Sequence, residues 1–401
     1  MQNRLAQFQA ILKQNNLDGF IVTNPVNIFY LTGFKGLSPT ERESILIFNP
    51  KVYPSKSGSA GRSGATLITA RLYQNEANKL KSKDLGIKIA NERNEIFKFM
   101  EDLLKNRKRV GFEEGNLTFL EHKQIKSLLY SSNGSEKSTK NSSRTSSSNN
   151  IKLIPFRDLI ESQRIIKTAD EIAKIEKAQV ISQKAFEKIL PTLKVGQTEE
   201  EIAEHLAKII KSLGGEGLAF ESIIASGPNS GLPHYFTGKR KIKAGEVLLF
   251  DFGAKYQNYC ADLSRTIFIG KAKDEYKNVF HHVLKAQKEA ISKINHGLKA
   301  HDAHELANAL FRQNNLHDYF LHGLGHGIGL EVHEKPSLRP APLLPSKIKQ
   351  PPEEILLENM VFSVEPGLYF PWGGVRIEDL VVIKGGRAKV LGKTQKDLIE
   401  I

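Results

Sequence analysis

An aspartate stands in the middle of LLFDFG, residues 248–253, where a buried strand would otherwise carry only apolar side chains. A carboxylate there is costly to bury unless something cationic meets it. The anomaly recurs three times along the chain: Asp262 opens DLSRTIFIG, Glu365 interrupts MVFSVEPGLYF, and Glu378 sits within GVRIEDLVVI. Any fold open to this chain must therefore bring four strand-borne acids to a source of positive charge. Arg265 and Arg376 can each pair with one, but two arginines do not neutralise four carboxylates. One or two divalent cations would do so more economically.

The segment EVLLFDFGAKYQNYCADLSRTIFIG reads as two strands joined by a short turn-rich stretch, a hairpin able to set Asp251 and Asp262 side by side. His326, at the centre of GLGHGIG, supplies a nitrogen ligand. Four carboxylates and one imidazole are too many ligands for a single zinc and too oxygen-rich to prefer it. Such a set suits Mn²⁺ first, with Co²⁺, Fe²⁺ or Zn²⁺ as alternatives, held as a pair roughly 3.5–4 Å apart. The chemistry expected of it is two-metal hydrolysis.

HGLGHGIGLEVHE, residues 322–334, raises other readings. Gly323, Gly325, Gly327 and Gly329 recur at every second position, unlike the G-x-G-x-x-G of a dinucleotide loop, and the histidine spacing is not the helical H-E-x-x-H zinc motif. Alternating glycines fit a strand with one bare face that another backbone or a substrate could approach; here the expectation is a face that lets substrate close on the metals. Catalytic or ligand roles are expected for His326 and His333.

The remaining chain supplies the frame. At 401 residues, two domains are expected, 1–160 and 161–401. The first reads as a small α/β domain: an N-terminal helix with Leu5, Phe8 and Leu12 on one face, strands FIVTN, SILIF, LITA and IKIAN, and a helix NEIFKFMEDLLKNRKR. PSKSGSAGRSG, 54–64, reads as a loop between strands, and residues 131–150 form a Ser/Asn-rich insertion with no apolar side chain. The second half is α+β: capping boxes at Thr168/Glu171 and Thr198/Glu201 start two helices, Ile172, Ile175 and Val180 marking one apolar face and Ile202, Leu206, Ile209 and Leu213 the other. Strands ESIIASG, EVLLFDFGA, DLSRTIFIG, GIGLEVH, MVFSVEPGLYF and GVRIEDLVVI follow, with long helices between 274 and 315.

A net charge of +14 raises nucleic acid as a partner, but the lysines are scattered and not interleaved with aromatics, so a solvated basic surface is the expectation. No apolar run is long enough for a membrane span, no targeting signal is evident, and the lone Cys260 excludes an intrachain disulfide; a cytoplasmic protein is expected.

These motifs, in this order, resemble the pita-bread metallopeptidases, the group of Xaa-Pro aminopeptidases, prolidases and methionine aminopeptidases. LLFDFGAKYQNYCADLSRT, HGLGHGIGLEVHE, VFSVEPGLY and GVRIEDLVV carry the resemblance, with SGPNSGLPHY before them; NPVNIFYLTGF and LITARLYQNEA resemble the creatinase-type N-terminal domain. The resemblance implies a curved antiparallel sheet covered by helices, two divalent metal ions, proline-containing peptides as substrates, and a homodimer or tetramer. It makes Asp251 a chelator of one metal, Asp262 and Glu378 bridges, and His326 and Glu365 ligands of the other. It also makes Glu365 the general base, His234 and His333 the groups that stabilise the tetrahedral intermediate and handle the leaving amine's proton, His322 a further active-site histidine, and Arg376 an anchor for a ligand carboxylate.

One departure bears on specificity. The arginine expected to hold a dipeptide's carboxylate is replaced by Ser337, with Arg339 two residues on. Lacking that arginine, the chain is expected to be an Xaa-Pro aminopeptidase, with the strict dipeptidase as the alternative. A metal-free creatinase-like hydrolase and a non-enzymatic binding module are the remaining readings, and the complete ligand set argues against both.

Overall fold

The computed structural model describes residues 2–35, 42–49, 64–80, 82, 84–131, 151–341, 353–393 and 395–401. The expected loop at 54–64 and the insertion at 131–150 lie outside these residues, apart from Gly64 and Ser131. The chain divides into two compact units, Met1–Ser162 and Gln163–Ile401.

The first unit is built on a six-stranded sheet in the order β4-β3-β2-β1-β5-β6, comprising β1 (Gly19–Val22), β2 (Ser44–Phe48), β3 (Ala65–Ala70), β4 (Leu85–Ala90), β5 (Arg109–Glu113) and β6 (Lys152–Phe156). Pairing is mixed: β2 lies antiparallel to β1 and β3, while β1–β5, β3–β4 and β5–β6 are parallel. The helix Gln2–Gln14 buries Leu5, Phe8 and Leu12 completely, and Phe8 meets Phe20 and Phe48 edge-on. Two strands escaped the sequence reading. The expected long helix stops at Leu104 because Asn106 takes a left-handed φ of 65°, which frees the chain to enter β5. Pro155 disguises β6, and is tolerated because β6 is an edge strand.

In the second unit every named strand pair is antiparallel. Its sheets are β11-β10-β7, from β7 (Gly217–Leu218), β10 (Ala254–Tyr256) and β11 (Tyr259–Cys260); β12-β9-β8, from β8 (Ile223–Ser226), β9 (Val247–Phe252) and β12 (Leu263–Phe268); and β14-β13-β15-β18-β19. The last contains β13 (Gly325–Gly327), β14 (Glu334–Leu338), β15 (Val361–Val364), β18 (Asp379–Lys384) and β19 (Arg387–Val390), and a hairpin of β16 (Gly367–Phe370) and β17 (Gly373–Arg376) completes the set. Helices Ala169–Ile189 and Glu199–Ser212 open with both capping boxes in place. They cover one apolar cluster with Phe186, Leu206, Leu248, Phe250 and Ile267. Ile175 and Phe186 lie on the buried stripe of the first helix, but Ile172 and Val180 are only half-buried, since the stripe runs through Ala178, Ile181, Ala185 and Ile189. Helices Asp274–Lys293 and Ala300–Gln313 cover a second cluster with Val283, Phe311, Phe362 and Val381. Two helix pairs over antiparallel strands make this unit α+β.

Candidate active site

Asp251 lies within β9, directly across from Ser264 of β12, so Asp262, two residues before Ser264, shares that face. The other acids do not sit inside strands as expected. Asp262 precedes β12, Glu365 follows β15 and Glu378 precedes β18, each at a break in a ladder where a side chain can turn inward without disrupting the sheet. Val364 pairs with Asp379, which places Glu365 and Glu378 opposite one another. The Glu378 N–H donates to the Ser264 carbonyl at 3.1 Å, and the Ser264 hydroxyl donates to Glu378 Oε2 at 2.7 Å, joining the two sheets at the cluster.

His326, in β13, points its Nε2 at the acids: 3.3 Å from Glu365 Oε1 and 3.7 Å from Asp262 Oδ2. Its Nδ1–H donates to the Gly327 carbonyl at 3.1 Å, which leaves Nε2 as the atom a cation would take in exchange for its proton. Donor atoms of Asp262, His326 and Glu378 all lie within 4.8 Å of one another. Asp262 Oδ1 and Glu378 Oε1 are buried with no hydrogen-bond partner among the described residues. Orphaned carboxylate oxygens beside an imidazole nitrogen that faces them are what a divalent cation requires, so these residues fit one.

The protein's own cations leave that demand open. Arg376 donates to Asp251 Oδ2 at 2.5 Å, to Tyr369 Oη at 2.7 Å and to Ser264 Oγ at 2.9 Å. Arg265, expected as a second partner for the four acids, instead pairs with Asp379 at 2.7 Å. Burial, and then the charge of Glu378 and of Asp251, pushes the Asp262 carboxyl well above the usual carboxylate range. Burial, Glu365 and Asp251 do the same to Glu378. Burial would lower the His326 pKa, but Glu365 and Glu378 outweigh it and raise it to about 9. For Glu365, burial is outweighed by the hydrogen bond and charge of His326, bringing its carboxyl down to about 2.

A cavity of about 430 Å³ opens over the cluster, and all eight residues singled out from the sequence line it: His234, Asp251, Asp262, His322, His326, His333, Glu365 and Glu378, together with Arg339 and Arg376. Phe220, Ile223, Pro233 and Val332 supply apolar wall. The rings of His326 and His333 lie 4.3 Å apart, and burial followed by the charge of His326 lowers the His333 pKa. Both nitrogens of His322 are engaged: Nδ1–H donates to the Gly323 carbonyl and Nε2 accepts from Tyr369 O–H, each at 2.7 Å. Burial holds His322 at about 4, against the opposing charge of Glu365, so it is neutral near pH 7. His234 rides on a loop tied to the buried Glu199, whose carboxylate accepts from the Ser226 N–H, the Asn229 amide and Tyr235 O–H.

The alternating glycines do not form the open strand face expected from their spacing. Only Gly325–Gly327 of GIGLEVH is strand, and the bare positions are filled by neighbouring chain. A Cβ on Gly325 would come 2.0 Å from the Ser363 carbonyl oxygen and one on Gly327 2.0 Å from that of Lys335; one on Gly329 would meet the Glu334 carboxylate at 2.8 Å. The space a side chain would take at these three glycines is already filled by neighbouring chain. Ser264 and Tyr369 join the site without having been expected from the sequence. Ser264 could have been found as the cross-strand neighbour of an anomalous Asp251, whereas nothing in the local sequence marks Tyr369.

The profile of metallopeptidase family M24 matches residues 173–385, more than half of the chain and the whole span of the cluster. The chain belongs to metallopeptidase family M24. A creatinase/prolidase N-terminal domain profile matches residues 4–166 of this M24 protein, the two-domain pairing of the pita-bread peptidases. As a member of the family it is a hydrolase of peptide bonds. A protein named Xaa-Pro dipeptidase from Pyrococcus furiosus is 33% identical over 400 residues, covering 100% of both chains. Among solved structures, an Xaa-Pro dipeptidase from Bacillus anthracis aligns with a TM-score of 0.83 at 28% identity, over 100% of this chain and 99% of that one. An X-Pro aminopeptidase from Thermotoga maritima aligns at 0.80 and 28%, over 99% of each. No described helix of the M24 protein is long and apolar enough to cross a membrane.

Proposed function

We propose that this M24 protein is an Xaa-Pro dipeptidase that uses two divalent cations, Mn²⁺ first among them. The observation that carries the reading is one cavity lined by an orphaned carboxylate pair, by His326 and by Arg339. Asp251, Asp262 and Glu378, with His326 and Glu365, are the residues that would hold the cations. When bound, such a pair supplies hydroxide near neutral pH and polarises the carbonyl under attack. Glu365, its carboxylate turned into the cavity, accepts the proton of the attacking water as general base. His234 and His333 donate hydrogen bonds to the tetrahedral intermediate and deliver the proton that the departing proline nitrogen requires. His322 and Tyr369 hold Arg376, which in turn fixes Asp251. An Xaa-Pro bond lacks an N–H and has a fixed φ, which defeats peptidases that bind substrate as a strand but not a compact cavity of this kind.

Ser337 in place of an arginine is the reason to expect an aminopeptidase. Arg339 weakens that reason, because its side chain lines the same cavity as His333 and Gly323, where a dipeptide's carboxylate would lie. The relatives named Xaa-Pro dipeptidase support the same choice over the aminopeptidase.

The experiment compares the dipeptide Gly-Pro with the tripeptide Gly-Pro-Gly on Mn²⁺-loaded protein. The expected kcat/KM is at least about tenfold higher for the dipeptide, and Arg339→Met lowers it by about 10–100-fold on the dipeptide while leaving the tripeptide nearly unchanged, as loss of a charge-assisted contact predicts. Equal hydrolysis of both substrates, untouched by Arg339→Met, would return the protein to the aminopeptidase reading.

A further inference from the structure

Glu334 follows His333 directly and opens β14, yet it does not line the cavity. Its carboxylate is buried between two buried cations: Oε1 accepts from the Arg164 guanidinium, and Oε2 from the Lys167 ammonium at 3.1 Å. The Arg164 and Lys167 side chains are 3% and 2% exposed. Arg164 also reaches the Glu331 carboxylate at 2.7 Å, and the Glu331 N–H donates back to Glu334 Oε1 at 3.1 Å.

The segment closed by these contacts is the turn that carries His333. Its near end is tied as well, since Gly329 N–H donates to the Glu331 carbonyl at 3.0 Å and Cys260 N–H donates to the Gly329 carbonyl at 2.8 Å. Gly329 is bare where the Glu334 carboxylate passes. Burying three charges costs solvation that their attraction does not reliably repay beyond what apolar packing would give, so stability alone is a poor reason for such a cluster. A fixed geometry is a better one, because a buried, doubly paired carboxylate has few alternative positions.

We infer that Arg164, Glu334 and Lys167 form a positioning clamp for His333, fixing the turn so that the imidazole stands beside His326 and faces the cavity. The inference rests on the proposed peptidase reading, in which His333 acts on the reacting carbonyl. None of the three clamp residues lines the cavity.

The test uses the full-length Mn²⁺-loaded protein and the dipeptide Gly-Pro. Glu334→Gln keeps the shape and removes the charge; it is expected to lower kcat by about 10–100-fold, the usual effect of mispositioning a catalytic group, with KM and bound Mn²⁺ changed less than about twofold. In a His333→Ala background the same substitution is expected to cost less than about twofold, since the group it positions is already gone. Lys167→Met, which leaves the Arg164 pair intact, is expected to give a smaller loss of the same kind and carries the test if Glu334→Gln does not fold. Independently of turnover, and in the metal-stripped full-length protein, the His333 ring resonance, assigned by its loss in His333→Ala, should shift and broaden in Glu334→Gln while that of the exposed His281 does not. Wild-type kcat in both folded variants with an unmoved His333 resonance, or an equal loss with and without His333, overturns the clamp. A wild-type protein that leaves Gly-Pro intact overturns the proposed activity instead, and the resonance still decides the clamp.

Discussion

Ser264 shows how much the site asks of residues that bear no charge. Its hydroxyl donates to Glu378 Oε2 and accepts from Arg376, so it links the acid nearest β18 to the arginine that holds Asp251. Ser264→Ala is therefore expected to leave the fold intact and weaken Mn²⁺ binding by about 10–100-fold, read by calorimetric titration of the stripped protein, because the partners of a ligand set its orientation and basicity. The residues proposed as ligands stood out in the sequence, since acids among Val, Leu and Phe are conspicuous, as is His326 among its glycines. Arg265 was misread because alternation along β12 places it on the face opposite Asp262 and Ser264, towards Asp379. Period-two patterning could have caught that. Tyr369 could not have been caught, because its importance comes from contacts with His322 and Arg376, which only the fold brings together.

Among elements, β13 is the instructive case. Its glycines are spaced as a strand would space them, but a sequence does not say what fills a bare face, and here the filling is the backbone of β14 and the strand that pairs with β13 on its other side, β15. Gly327→Ala forces a methyl against the Lys335 carbonyl and is expected to destabilise the protein by roughly 1–3 kcal/mol, as overpacking of a tight interior does, with a lowered midpoint in urea unfolding. A substrate-facing glycine would instead leave the midpoint unchanged and raise KM. Helix starts were readable from their capping boxes at Thr168 and Thr198 because that chemistry is local. The turn Ile328–His333 was taken for strand because its shape is imposed by Glu334, Arg164 and Lys167, whose charges come from segments about 170 residues apart.

For the whole molecule, the sequence announced two different grammars and the metallopeptidase resemblance, and membership of family M24 agrees with that resemblance. What it could not announce is assembly: the cavity draws on β9, the turn before β12, β13, the ends of β15 and β18, and the loop bearing His234. If these scattered acids exist to hold cations, the protein must bind them with the acids intact and lose them with one removed. Titration of metal-stripped protein with Mn²⁺ in a calorimeter measures this. Two ions are expected to bind per chain in the wild type, with that stoichiometry lost in Glu378→Gln. Absence of binding by the folded wild-type protein, or two ions still bound with unaltered affinity by Glu378→Gln, would contradict it.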